Sequence, residues 1–134
     1  MSVVRTYIVE DNPVILQNLR DTLEELTDVQ VIGTAADEED AVQCMRQGKE
    51  PIDLMIIDVF LASGSGLSVL RSAQHLNVQA KRVVLTNYAT PDIRRRCADL
   101  GADRVFDKSS EIEELIAYCG RISDGTVTAP GTFR

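Results

Sequence analysis

At 134 residues the chain is long enough for one hydrophobic core and too short for two ordinary domains. Its 44% apolar and 26% charged residues place it among globular proteins; no apolar run approaches the roughly 18 residues of a membrane helix, and Met1 to Tyr7 lacks the apolar centre of a secretion signal, so a cytoplasmic protein is predicted. Fourteen basic against twenty-one acidic residues, a net charge of −7, oppose phosphate backbones and anionic lipid and argue against direct contact with nucleic acid or membrane.

The first predicted strand, Thr6 to Val9, ends at Glu10-Asp11, and Asn12-Pro13 then supplies an N-cap and a first-turn proline. The helix that follows carries Ile15, Leu19, Leu23 and Leu26 at helical spacing. A second strand spans Val29 to Thr34, and a second helix with Ala41, Val42 and Met45 stops at Gly48. The third strand, Leu54 to Ile57, ends at Asp58; its helix carries Leu67, Leu70 and Ala73 and ends near His75, the one histidine, read as a surface residue.

Arg82 to Leu85 is the fourth strand, followed by Thr86-Asn87 and by Thr90-Pro91, which opens a helix with Ile93, Cys97 and Leu100, ended by Gly101. Arg104 to Phe106 is the fifth, followed by Asp107-Lys108. Ser110 and Glu113 have the spacing of a capping box for a last helix with Ile112, Leu115, Ile116 and Cys119. Four of the five strands are nearly continuous in apolar character, as strands buried on both faces are. Five alternating strand and helix units with right-handed crossovers predict an α/β fold, a doubly wound five-stranded parallel sheet with five helices. Residues 1–122 form that domain; 123–134, rich in Gly, Thr and Pro, read as a C-terminal tail or linker stub. Cys44, Cys97 and Cys119 lack any paired or metal-binding spacing and are assigned to packing as free thiols.

Polar residues appear where the strands end. In a doubly wound sheet the carboxyl ends share one rim, which is where such folds bind ligands, so Glu10, Asp11, Asp58, Thr86 and Lys108 are expected to converge. A single acid at such a place is usually a helix cap or a solvated loop residue, but neither helix starts nor strands require this whole set. Two carboxylates about 5 Å apart repel by about 3 kcal/mol at an effective dielectric of about 20. Lys108 supplies one compensating charge. A hard divalent cation is the natural second, and Mg²⁺ suits a site of one or two carboxylates with water and phosphate oxygens. Such a site favours phosphoryl chemistry, with a carboxylate as nucleophile and Thr and Lys donors on the equatorial oxygens.

At these residues, from about Arg5 to Arg121, the sequence resembles the receiver domain of two-component response regulators. The marks are Glu10-Asp11, Asp58 with Gly66 eight positions later, Thr86 and Lys108. The resemblance implies a flavodoxin-like sheet of order 2-1-3-4-5 in which Asp58 accepts a phosphoryl group from a sensor histidine kinase or phosphotransfer protein. It implies Mg²⁺ on Glu10, Asp11, Asp58 and the backbone carbonyl of Phe60, with Thr86 and Lys108 on the phosphoryl oxygens. The module is then a phosphoacceptor switch rather than an enzyme, acting through partner binding or through a homodimer formed by the fourth helix, fifth strand and fifth helix.

Four positions depart from the family pattern. Val105 stands where an aromatic switch residue is usual, with Phe106 one place later and facing the other side of the sheet. Ser109 replaces a proline after the lysine, so no cis-proline is expected; Ala62 replaces another, and Asn87 is larger than usual and narrows the approach to Asp58. Phe60 and Tyr88 place apolar bulk where an attacking water must line up, which predicts slow autodephosphorylation. The triplet Arg94-Arg95-Arg96 reads as a solvated or partner-facing surface that meets Glu111, Glu113 or Glu114 of a second copy. The competing reading is a Mg²⁺-dependent phosphohydrolase with Asp58 as nucleophile, but the second acid it needs two residues on is Phe60. Flavin binding is disfavoured because Glu10-Asp11 would repel a phosphate.

Overall fold

In the computed structural model, which describes residues 3–125, strands and helices alternate without exception. The strands are β1 (Val4–Val9), β2 (Val29–Ala35), β3 (Leu54–Ile57), β4 (Lys81–Thr86) and β5 (Arg104–Asp107). The helices are α1 (Pro13–Leu26), α2 (Glu38–Gln47), α3 (Gly66–His75), α4 (Pro91–Asp99) and α5 (Ile112–Ser123). All pairings are parallel and the order is β2-β1-β3-β4-β5, the flavodoxin-like arrangement expected. Of the expected tail, residues 126–134 lie outside the described residues.

Side chains of a strand alternate between faces, and here both faces are covered. Ile8, Leu54, Ile56, Val83, Leu85 and Phe106 pack under α1 and α5 with Leu19, Leu23, Leu115 and Tyr118. Val9, Met55, Ile57 and Val84 pack under α2, α3 and α4 with Ala41, Met45, Val69, Leu70 and Cys97. All four residues of β3, the central strand, are at most 1% exposed, which explains why its sequence is a run rather than an alternation. Burial pushes the Cys97 thiol up and that of Cys119 up to about 12. Both behave as inert packing residues. Among the described residues no helix is long and apolar enough to cross a membrane.

Helix starts follow the local chemistry at four of five places. Asn12 Oδ1 accepts from Val14 N and Ile15 N at 2.9 and 3.1 Å. Asp37, Ser65 and Thr90 cap α2, α3 and α4 in the same manner. The exception is α5. The capping box expected of Ser110 and Glu113 does not form: the helix begins at Ile112, Glu111 holds the cap position, and its side chain does not bond the first turn. The Glu111 carboxylate instead accepts from Asp107 N at 2.8 Å and pairs with Arg94 at 2.9 Å, while Ser110 hydrogen-bonds to Asp107. The Glu111 side chain is thus engaged by a distant guanidinium rather than by the first turn of α5.

Candidate functional site

The carboxyl ends of β1, β3, β4 and β5 deliver the predicted residues to a cavity of about 220 Å³. Backbone pairing sets their positions. Glu10 N donates to Ala35 O (2.9 Å), Asp58 N to Val9 O (3.0 Å) and Lys108 N to Thr86 O (2.9 Å), so each side chain leaves from the last rung of its ladder. Glu10 and Asp58 are buried, at 3% and 7% exposure. One oxygen from each of Glu10, Asp11 and Asp58 lies within 4.8 Å of the others.

Lys108 bridges the two buried acids. Its Nζ donates to Glu10 Oε1 at 2.7 Å and to Asp58 Oδ2 at 2.9 Å. The other oxygens are held by the backbone: Glu10 Oε2 accepts from Asn12 N (3.0 Å), Asp58 Oδ1 from Phe60 N (3.2 Å) and Asp11 Oδ2 from Ala62 N (2.6 Å). Burial raises the Glu10 carboxyl above its ordinary range, with the Asp58 charge adding to it, and the bonds from Lys108 and Asn12 offset only part of this. For Lys108, burial disfavours the ammonium, but the bonds to Glu10 and Asp58 outweigh it and hold its pKa above the usual lysine value. Three carboxyl groups thus face one ammonium in the cluster. Each carboxylate oxygen keeps acceptor capacity beyond its present bond, so the donor set fits a hard, oxygen-liganded cation such as Mg²⁺.

Thr86 is fully buried, and its Oγ1 accepts from Tyr88 N at 3.1 Å, tying the loop after β4 to the strand. Phe60 and Tyr88, 51% and 61% exposed, meet edge to face with centroids 5.0 Å apart, so the loops after β3 and β4 touch over the cavity. Asn87 lines the same cavity. Val105 packs on the α4 side of the sheet, while Phe106 is buried on the α5 side against Tyr118, as the alternation predicts. Among the described residues there is no cis peptide bond.

Asp107 and His75 are not brought to this cavity: Asp107 bonds to Ser109, and His75 is exposed at the far end of α3. Arg94, expected to meet an acid of a second copy, reaches Glu111 of its own chain. Arg95 and Arg96 lie beside Asp92 of their own helix. A larger, mostly apolar cavity of about 410 Å³, bordered by Tyr7, Met45, Ile52 and Val78, contains none of the predicted strand-end residues.

Gly66 has a structural role that the spacing alone does not explain. A Cβ built there would lie 2.1 Å from the Asp58 carbonyl oxygen and 2.8 Å from Val59 Cα, because α3 starts directly against the backbone that carries Asp58. Gly66 N donates to Val59 O at 2.9 Å, fixing that approach. The Gly66→Ala variant is expected to lose about 1–3 kcal/mol of folding stability, the usual range for overpacking, read as a lower urea midpoint. An unchanged midpoint would show that the loop absorbs the methyl group at no cost.

Comparison with known proteins follows the same lines. A family model described as the response regulator receiver domain matches residues 6–119. The chain is 31% identical over 112 residues to the uncharacterized transcriptional regulatory protein YvfU of Bacillus subtilis, covering 84% of this chain and 55% of that protein. The chain thus spans about half the length of that curated relative. Among solved structures, a LuxR-family two-component response regulator from Aurantimonas matches with a TM-score of 0.82 at 23% identity, over 92% of this chain and 87% of that one. A CheX–CheY–BeF3–Mg complex from Borrelia burgdorferi matches with a TM-score of 0.78 at 19% identity, over 92% of this chain and 90% of that one.

Proposed function

Because this chain belongs to the response regulator receiver domain family of two-component signalling, we propose that the cavity at the strand ends is its phosphoacceptor site and that Asp58 is the accepting residue. The observation that carries this reading is the Lys108 ammonium bonded at once to Glu10 and Asp58 inside a buried three-carboxylate cluster. Of the three acids, Asp58 lies between the other functional groups. Lys108 holds one of its oxygens, Phe60 N holds the other, and Thr86 lines the same cavity.

In the proposed transfer, a carboxylate oxygen of Asp58 forms a bond to phosphorus as the donor's P–N bond breaks, and the electron pair stays on the leaving imidazole nitrogen. The donor is a sensor histidine kinase or a phosphotransfer protein. Glu10, Asp11, Asp58 and the Phe60 carbonyl would hold Mg²⁺, which when bound supplies charge neutralisation for the nucleophile and the incoming phosphoryl group. Lys108 and Thr86 donate to phosphoryl oxygens. Residues 1–122 act as the receiver, with Ser123 closing α5 rather than opening the proposed tail, and the output is a binding event, to a partner or a second copy, at the surface of α4, β5 and α5. No observation favours the hydrolase alternative, since the position two after Asp58 is an exposed Phe60 ring with no acid to offer.

Incubation with acetyl phosphate and Mg²⁺ followed by intact mass measurement tests the reading. One phosphate is expected on the peptide containing Asp58, and none when EDTA removes the metal. Uptake elsewhere, or uptake undiminished by EDTA, would overturn it. In the same samples the Phe60 and Tyr88 rings, which crowd the path of an attacking water, are expected to make decay slow. Phe60→Asn and Tyr88→Glu should shorten the lifetime, and unchanged decay in both would remove the rings from the explanation.

A further inference from the structure

Arg94 makes more connections between separate elements than the receiver chemistry requires of it. From α4 its guanidinium donates through Nε to Ala89 O (3.1 Å) in the loop after β4, through Nη1 to Val105 O (2.9 Å) in β5, and through Nη2 to Glu111 Oε1 (2.9 Å) at the start of α5. The same Glu111 oxygen accepts from Asp107 N at 2.8 Å, so one ion pair also fixes the end of β5. A planar fork with several donors suits this task, which a lysine could not perform with the same geometry.

The loop that offers Ala89 is tied to the phosphoacceptor cavity. Thr86 Oγ1 holds Tyr88 N, and Tyr88 O accepts from Thr90 N at 2.8 Å, leaving Ala89 between two fixed points. Position 105 is valine, and the Phe106 ring is 1% exposed on the opposite face, 5.9 Å from Tyr118. The first turn of α5, in turn, has no side-chain cap, and Glu111 at its cap position is held by Arg94 and by Asp107 N instead. The contact also keeps the Glu111 carboxyl below its ordinary range, through the Arg94 hydrogen bond first and the Asp107 amide second.

We infer that Arg94 is the positioning residue that carries the state of the Asp58 cavity to the surface formed by α4, β5 and α5. The inference rests on Asp58 being the phosphoacceptor. A Thr86 hydroxyl drawn toward a phosphoryl oxygen on Asp58 draws away from Tyr88 N–H. The loop carrying Ala89 then shifts, and the guanidinium redistributes among its three acceptors. Release or tightening of Glu111 alters the end of β5 and the first turn of α5. The polar fork thereby takes the place that an aromatic side chain at position 105 would occupy.

Hydrogen exchange read by mass spectrometry tests this, because local opening of a helix end is what exchange reports. Wild type, Arg94→Ala and Glu111→Ala are each measured with and without acetyl phosphate and Mg²⁺, after intact mass has established their phosphate content. All three proteins are expected to take up phosphate. Wild type should show a phosphorylation-dependent change in exchange over residues 104–116. In both variants that segment should exchange faster from the outset, and the phosphorylation-dependent difference should be lost. A merely structural Arg94 would raise exchange in both states and leave the difference intact, which would overturn the inference, as would a fully phosphorylated wild type with no change over 104–116. Failure of wild type to take up phosphate would instead overturn the phosphoacceptor reading, and this inference with it.

Discussion

Asp58→Asn is expected to take up no phosphate from acetyl phosphate or from a phosphorylated donor protein while folding as well as the parent chain. The two outcomes have different causes. An amide oxygen is too weak a nucleophile to form the acyl phosphate, so uptake falls to background rather than by a factor. The amide has one oxygen where the carboxylate has two, so it keeps the bond from Lys108 Nζ, at 2.9 Å in the native chain, and gives up the one from Phe60 N, at 3.2 Å. One of three crowded negative charges is also removed. The repulsion relieved is of the order of the lost charge-assisted bond, which at partly buried positions contributes about 1.5–3 kcal/mol. A urea midpoint close to wild type together with no added mass is the predicted result. Phosphate that still appears would place the acceptor elsewhere.

Lys108→Met is the second large effect, and it moves two measurements in opposite directions. Among the described residues Lys108 is the one cation hydrogen-bonded to the acid cluster, with side-chain exposure of only 10%. Loss of a preorganised donor aimed at developing charge typically slows a reaction by about 10²–10³-fold, so the rate of phosphate uptake is expected to drop by that order. Divalent metal binding to the unphosphorylated protein should instead become tighter, because an ammonium that competes for Glu10 Oε1 and Asp58 Oδ2 is gone. Calorimetric titration with Mg²⁺ measures the second effect. Uptake at the wild-type rate would remove Lys108 from the transfer, and weaker metal binding would show that the ammonium organises the acids rather than competing for them.

The site's membership was legible in the sequence to an unusual degree because it is built at strand ends. Once Thr6–Val9, Leu54–Ile57, Arg82–Leu85 and Arg104–Phe106 are recognised as parallel buried strands, whatever follows each of them must share one rim. Glu10, Asp11, Asp58, Thr86 and Lys108 are found there together. The prediction that Val105 and Phe106 face opposite layers held for a similar reason, since the two-residue period of a strand needs no tertiary information. Relations between loops were not legible. Nothing in the spacing of Phe60 and Tyr88, or of Arg94 and Glu111, says that they touch, and Ser110 with Glu113 had every local mark of a capping box that does not form.

What the sequence determined by itself was therefore the set of elements, their two-sided burial and the residues gathered at the strand-end rim. These follow from short-range causes: side-chain periodicity, caps at Asn12 and Thr90, and the left-handed stop at Gly48. The tertiary structure alone decided which polar groups pair. Lys108 meets Glu10 across 98 positions of chain and Asp58 across 50, and Arg94 meets Glu111 across 17. Such pairs depend on strand order and on how far each loop leans, and a charge has several candidate partners within reach of a long side chain. The Arg94–Glu111 pair is the clearest case, because the guanidinium reaches acceptors in three separate segments at once, a relation that no local spacing encodes.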